Sequence, residues 1–70
     1  MFTKLLKHQL IESDMSASEL AKLLNTSQQN LSAKMKRDNF SEREMLEIAN
    51  ALNCDLKISF IDKATKQEIN

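Results

Sequence analysis

Five side chains between positions 28 and 36 offer the chemistry in this sequence: Gln28, Gln29, Ser32, Ala33 and Lys36. A carboxamide donates and accepts through adjacent atoms, which suits the N6 and N7 edge that adenine shows in the major groove of a duplex. A serine hydroxyl does either, and an alanine methyl can touch that of thymine. Lys34, Lys36 and Arg37 cluster beside them, and Arg43 follows after a gap. These are residues for backbone phosphates, which fix position without reading sequence. Ser16 and Ser27 stand where helices are expected to begin, and unpaired amides at a helix N-terminus also attract phosphate.

Other chemistries find little support. No nucleophile stands with a histidine and an acid at a recognisable motif spacing, and a chain with no glycine has no glycine-rich phosphate loop. Seventy residues leave little room for a pocket, so no catalysis and no cofactor are expected. His8 has no second histidine or cysteine at metal spacing and reads as a surface or boundary residue; Lys4, Lys7 and Lys22 read as ordinary surface lysines. Cys54 is the single cysteine and reads as a small buried or half-buried thiol suited to a reducing cytoplasm. At this length a core is small, and with disulfides and metals set aside, oligomerisation remains as the supplement. No apolar run is long enough for a signal peptide or a membrane span, so a soluble, cytoplasmic protein is expected, with no membrane partner. Ten basic and ten acidic residues cancel, yet between Lys22 and Arg43 five basic residues face only Asp38 and Glu42. Such a local patch is enough for phosphate contact.

The elements that must position these residues are legible from their punctuation. The chain also has no proline, so turns fall to Asn, Asp, Ser and Thr. They cluster at Ser13-Asp14, Asn25-Thr26-Ser27, Asp38-Asn39 and Asn53-Cys54-Asp55. Between them lie four apolar-periodic segments. Phe2, Leu5, Leu6, Leu10 and Ile11 predict a first helix over about 2–12. Ser16 and Glu19 form a capping box, with Met15 and Leu20 as its hydrophobic staple, and Leu20, Ala21, Leu23 and Leu24 give a second helix of about eight residues. Ser27 caps a third, to about Arg37, whose apolar content is only Leu31, Ala33 and Met35. Ser41 and Glu44 repeat the capping box, Phe40 and Met45 the staple, and Met45, Leu46, Ile48, Ala49 and Leu52 the core stripe. Two short helices joined by about three residues, the second polar, have the layout of a helix-turn-helix, and Ala21 supplies the small side chain at the crossing.

The stretch SASELAKLLNTSQQNLSAKM resembles the helix-turn-helix of the Cro and phage-repressor (XRE) class of regulators, with an E-L-A in helix two and Gln-Gln after the cap of the recognition helix. The likeness spans roughly residues 2–53, including SEREMLEIANAL as helix four. It implies a mainly α, four-to-five-helix, lambda-repressor-like DNA-binding domain with a C-terminal β-strand or hairpin for dimerisation. It also implies a transcriptional regulator, a repressor, bound as a dimer to a palindromic operator in double-stranded DNA, with the helix over about 27–37 in the major groove. Gln28, Gln29, Ser32 and Ala33 match its base-reading positions, and the stretch from Lys36 through Asn39 to Arg43 matches its phosphate-contacting loop. Asn25 stands where the family commonly has glycine, and accepts positive φ. Lys34 stands where an apolar residue is common, so Met35 and the aliphatic stem of Lys34 are expected to share that packing.

After Asn53 the period changes from 3.6 to 2. Residues 1–53 read as the DNA-binding domain and 54–70 as a β extension of the same domain. A strand over residues 56–61 is expected, and Gln67-Glu68-Ile69 offers a short returning one. A lone hairpin is marginal in water. Pairing the strand with its copy in a second molecule would bury Leu56, Ile58, Phe60 and Ile61 and set two recognition helices roughly 34 Å apart. The alternative is an antitoxin or adaptor-type module that uses the same fold to hold a protein partner, a reading favoured by the neutral net charge.

Overall fold

The computed structural model describes Met1–Ile69. Four helices come first: α1 (Phe2–Glu12), α2 (Ala17–Leu23), α3 (Gln28–Arg37) and α4 (Glu42–Ala51). A two-stranded antiparallel hairpin follows, β1 (Phe60–Ile61) with β2 (Glu68–Ile69), in the register Phe60 opposite Ile69 and Ile61 opposite Glu68.

The three later helices start as their sequences demand. Ser16 Oγ accepts from the Glu19 amide at 3.1 Å while Glu19 Oε1 accepts from the Ser16 amide at 3.1 Å, and Ser41 with Glu44 repeats this at 3.1 and 2.8 Å. Ser27 Oγ accepts from the Asn30 amide at 3.1 Å. All four helices stop in one manner. Asp14, Asn25, Asp38 and Asn53 hold φ between 51° and 57°, the left-handed region that usually goes to glycine. Around each runs the Schellman pair of hydrogen bonds. In α1 these are Met15 N to Leu10 O at 2.9 Å and Asp14 N to Ile11 O at 3.1 Å; in α2, Thr26 N to Ala21 O at 2.9 Å and Asn25 N to Lys22 O at 3.1 Å. Aspartate and asparagine replace glycine because their short polar side chains tolerate this conformation best among residues with a Cβ.

Leu20, fully buried, stands at the centre of the core with Leu6, Leu10, Ala21, Leu31, Ile48 and Leu52, and Phe2, Met15, Leu24, Met35 and Phe40 pack against them. The expected apolar faces are wider than the faces that are covered. Leu5 and Ile11 flank the Leu6 and Leu10 stripe and stay exposed, as do Leu23 and Leu46. Each short helix buries one narrow row of one or two side chains.

Two polar links hold α3 to its neighbours. Asp38 at the end of α3 reaches the start of α1, where its Oδ1 accepts from the Thr3 amide at 2.9 Å and the Thr3 hydroxyl at 2.8 Å; its Oδ2 pairs with the Met1 ammonium. The Thr3 hydroxyl also lies 3.0 Å from the Met35 carbonyl, and the Phe2 and Phe40 rings meet edge to face at 5.2 Å. On the other side Lys34 pairs with Glu44 of α4 at 2.8 Å.

The tail departs from expectation. Among the described residues, Phe60 and Ile61 are the part of the expected strand over 56–61 that joins a ladder, with Ile69 and Glu68 opposite them. Lys57 and Ser59 reach Glu68 with their side chains instead, at 2.9 and 2.6 Å. Asp62 closes the turn by accepting from the Ala64 and Thr65 amides, which hold its carboxyl below the usual range.

Asn25→Gly should leave the melting temperature unchanged or raise it, whereas Asn25→Ala, which must still adopt positive φ, should lose roughly 1 kcal/mol. Calorimetry on the two variants checks this, and equal effects would contradict a left-handed requirement. Lys34 and the Ser41 amide hold the Glu44 carboxyl at about 2 against its ordinary 4.5. A depressed folded value stabilises the protein fully above pH 4.5, and this contribution is lost as pH falls through about 2. Glu44→Gln should therefore flatten the acid limb of the melting curve over that window. Some slope remains from Asp62 and Glu68, whose carboxyls are lowered in the same direction.

Candidate nucleic-acid interface

Asn25 ends α2, Ser27 caps α3, and the steric demand of the two caps fixes how α3 leaves the turn. With Ala21 buried at the crossing and Leu31 facing the core, the opposite side of α3 is committed to solvent. Gln28, Gln29, Ser32, Ala33 and Lys36 line one shallow open hollow there. Their positions fall one helical turn apart, so one face gathers every base-reading residue expected from the sequence. Among the described residues, the side chains of Gln28, Gln29, Ser32, Lys36 and Arg37 make no hydrogen bond within the chain, which leaves their donors and acceptors for an outside partner.

The charges sort by helix end. The capping boxes put Glu19 in the first turn of α2 and Glu44, with Glu42, in that of α4, whereas the first turn of α3 carries no acid. The partial positive charge at the start of α3 is therefore uncompensated, while Lys34, Lys36 and Arg37 in its last turn oppose the negative end. The helix dipole alone accounts for that placement as well as phosphate contact does.

The remaining phosphate residues of the sequence reading lie as follows. Ser16 and Ser27 are N-caps, each with its hydroxyl oxygen on a backbone amide, and Glu19 covers the Ser16 amide. Asn39 is exposed in the loop after α3, and Arg43 sits at the start of α4, 3.7 Å from Glu47, with both partners well exposed. Lys34 differs from the others, since its ammonium is directed to Glu44. Of the tail residues, Leu56 is half-buried beside α1 and α4, while Ile58, Phe60 and Ile61 are exposed, Phe60 to 82%.

Three features escaped the sequence. Lys22, Asn25, Thr26, Ser27 and Asn30 share a second open hollow at the turn, foreshadowed only by a lysine ending one helix and a polar run starting the next. Thr3 and Asp38 are too far apart in the chain for any local motif to join them, and Glu44 showed only its capping role. Among the described residues no three His, Cys, Asp or Glu side chains are gathered as a metal site would need, and no helix is long and apolar enough to cross a membrane.

Comparison with known proteins agrees with this geometry. Neither the curated proteins nor the solved structures contain a match to the chain. The family model for the Cro/C1-type HTH DNA-binding domain matches residues 5–57, a span that takes in all four helices from the first turn of α1 onward. That span is most of the chain, which therefore belongs to the Cro/C1-type HTH DNA-binding domain family and is a DNA-binding regulator.

Proposed function

We propose that this regulator is a sequence-specific repressor that binds a palindromic operator as a dimer, with α3 in the major groove. The observation that carries the reading is the single face of α3 on which Gln28, Gln29, Ser32 and Ala33 stand together with Lys36. Gln28 and Gln29 sit at the helix N-terminus, where a recognition helix meets base edges, and the absence of an acid in that turn favours approach to DNA. Lys36, Arg37, Asn39 and Arg43 lie towards the other end and into the next helix, where they serve the flanking phosphates. Ser27, whose helix has no acid in its first turn, keeps the expected phosphate role, whereas at Ser16 the Glu19 carboxylate already takes the cap amide.

Dimerisation through the tail is supported by what the hairpin leaves uncovered. Phe60, Ile61 and Ile69 are exposed apolar residues on a two-residue ladder, with exposed Ile58 just before it, an arrangement that gains stability from a partner. The free edge of residues 56–61 is available for pairing about a two-fold axis. The same exposed apolar surface, with a net charge of zero, favours one rival, an antitoxin or adaptor-type module whose tail grips a different protein.

Selection of bound duplexes from a random pool decides between them. A palindromic motif with half-sites about ten base pairs apart supports the regulator, and weak, fully salt-sensitive binding without enrichment favours the rival. Gln28→Ala and Gln29→Ala should each relax the preference at one position per half-site, with a loss of about 1–3 kcal/mol on the selected operator. Equal weakening on every sequence would count against base reading. Phe60→Lys should sediment as a monomer at concentrations where the parent is dimeric, and an unchanged mass would remove the tail from the interface.

A further inference from the structure

Lys34 alone in the basic cluster of α3 has its charge engaged within the chain. Its Nζ donates to Glu44 Oε1 at 3.0 Å and to the Asn39 carbonyl at 3.4 Å, and lies 2.8 Å from the second carboxylate oxygen of Glu44. Glu44 is fixed in turn, since its Oε1 accepts from the Ser41 amide while Ser41 Oγ accepts from the Glu44 amide. The stem of Lys34 lies over a groove between α3 and α4 that also has Leu24, Leu31, Phe40 and Ile48 in its lining. Lys36 stands on the base-reading face and has no such partner.

We propose that Lys34 serves DNA binding as a positioning residue: joined to Glu44, it fixes the last turn of α3 on the first turn of α4, and the charge that meets phosphate belongs to its neighbours Lys36 and Arg37. This rests on the DNA-binding reading above. A phosphate that drew Lys34 away would take from the Glu44 carboxylate its neighbouring cation and set phosphate and carboxylate charges of like sign near each other. The pair is partly exposed, so its hold is modest and its effect is on the angle of α3 more than on survival of the fold.

The test compares the parent, Lys34→Met/Glu44→Gln and Lys36→Met on the selected duplex and on random duplex across a salt series, with thermal melts to confirm folding. The double variant removes both charges at once, and glutamine still accepts from the Ser41 amide. Its salt slope should equal the parent's, while the preference for selected over random duplex falls about two- to fivefold. Lys36→Met should lower the slope by about 0.9 on both duplexes. A slope lowered by about 0.9 in the double variant would place Lys34 on a phosphate and overturn the proposal. An unchanged slope with an unchanged preference would overturn it too, by leaving Lys34 no role in binding. If the double variant melts below the assay temperature, Lys34→Gln/Glu44→Gln, which removes both charges and keeps polar groups on the two helices, supplies the slope. Loss of the DNA-binding reading itself is recognised separately, by a parent that shows no salt-dependent duplex binding at all.

Discussion

The left-handed residue that ends each helix constrains the rest of this molecule, because a core of eight buried side chains forms only if four short helices stop at the right residues. A helix that ran one residue further would rotate the following segment by about 100° about its axis. Leu20 would then no longer meet Leu6, Leu31 and Ile48 together. The same stops set the reading face. Asn25 and Ser27 are two residues apart, and between them they decide that Gln28 and Gln29 lead α3 while Leu31 turns inward. Fold and function thus share a constraint located in a three-residue turn.

Helix α3 is an unusual load for so small a core, since Leu31 is its single buried side chain. What apolar burial leaves undone is completed by polar links at its far end, to Thr3 of α1 and Glu44 of α4. This division frees the outward face from packing duty and lets it carry amides and hydroxyls. It also explains why the basic residues of α3 are not equivalent. Lys34 faces a carboxylate on the next helix, whereas Lys36, two residues on, faces away from it towards the open hollow.

Much of this was legible because much of it is local. A capping box spans four residues, and a Schellman turn spans six, so Ser16, Glu19, Asn25, Ser41 and Glu44 disclosed their helices directly. That Gln28, Gln29, Ser32, Ala33 and Lys36 share one face follows from helical period once Ser27 is placed, while their assignment to bases comes from side-chain chemistry and the family resemblance. Illegible were the features that depend on which surfaces meet. Periodicity marks Leu5, Ile11, Leu23 and Leu46 as apolar, yet nothing local says how narrow the covered row is. Alternation from Leu56 onward pointed to a strand over 56–61, but a ladder requires a partner, and among the described residues it forms at Phe60 and Ile61 alone. The clasp of Lys34 on Glu44 joins a predicted phosphate ligand to a predicted cap, and neither role hints at the other.

The Thr3 hydrogen bonds have a consequence for the order of assembly. They close a loop of 35 residues, whereas the caps close loops of three and the Lys34 pair one of ten. Chain entropy makes the long closure the most demanding, and it gains favourable contacts only after α2, α3 and α4 are in place to receive it. The first turn of α1 is therefore a latecomer in folding and an early leaver under thermal agitation. The reading face, in contrast, belongs to the contiguous stretch that condenses first, so it exists before its brace arrives and outlasts the brace when it slips.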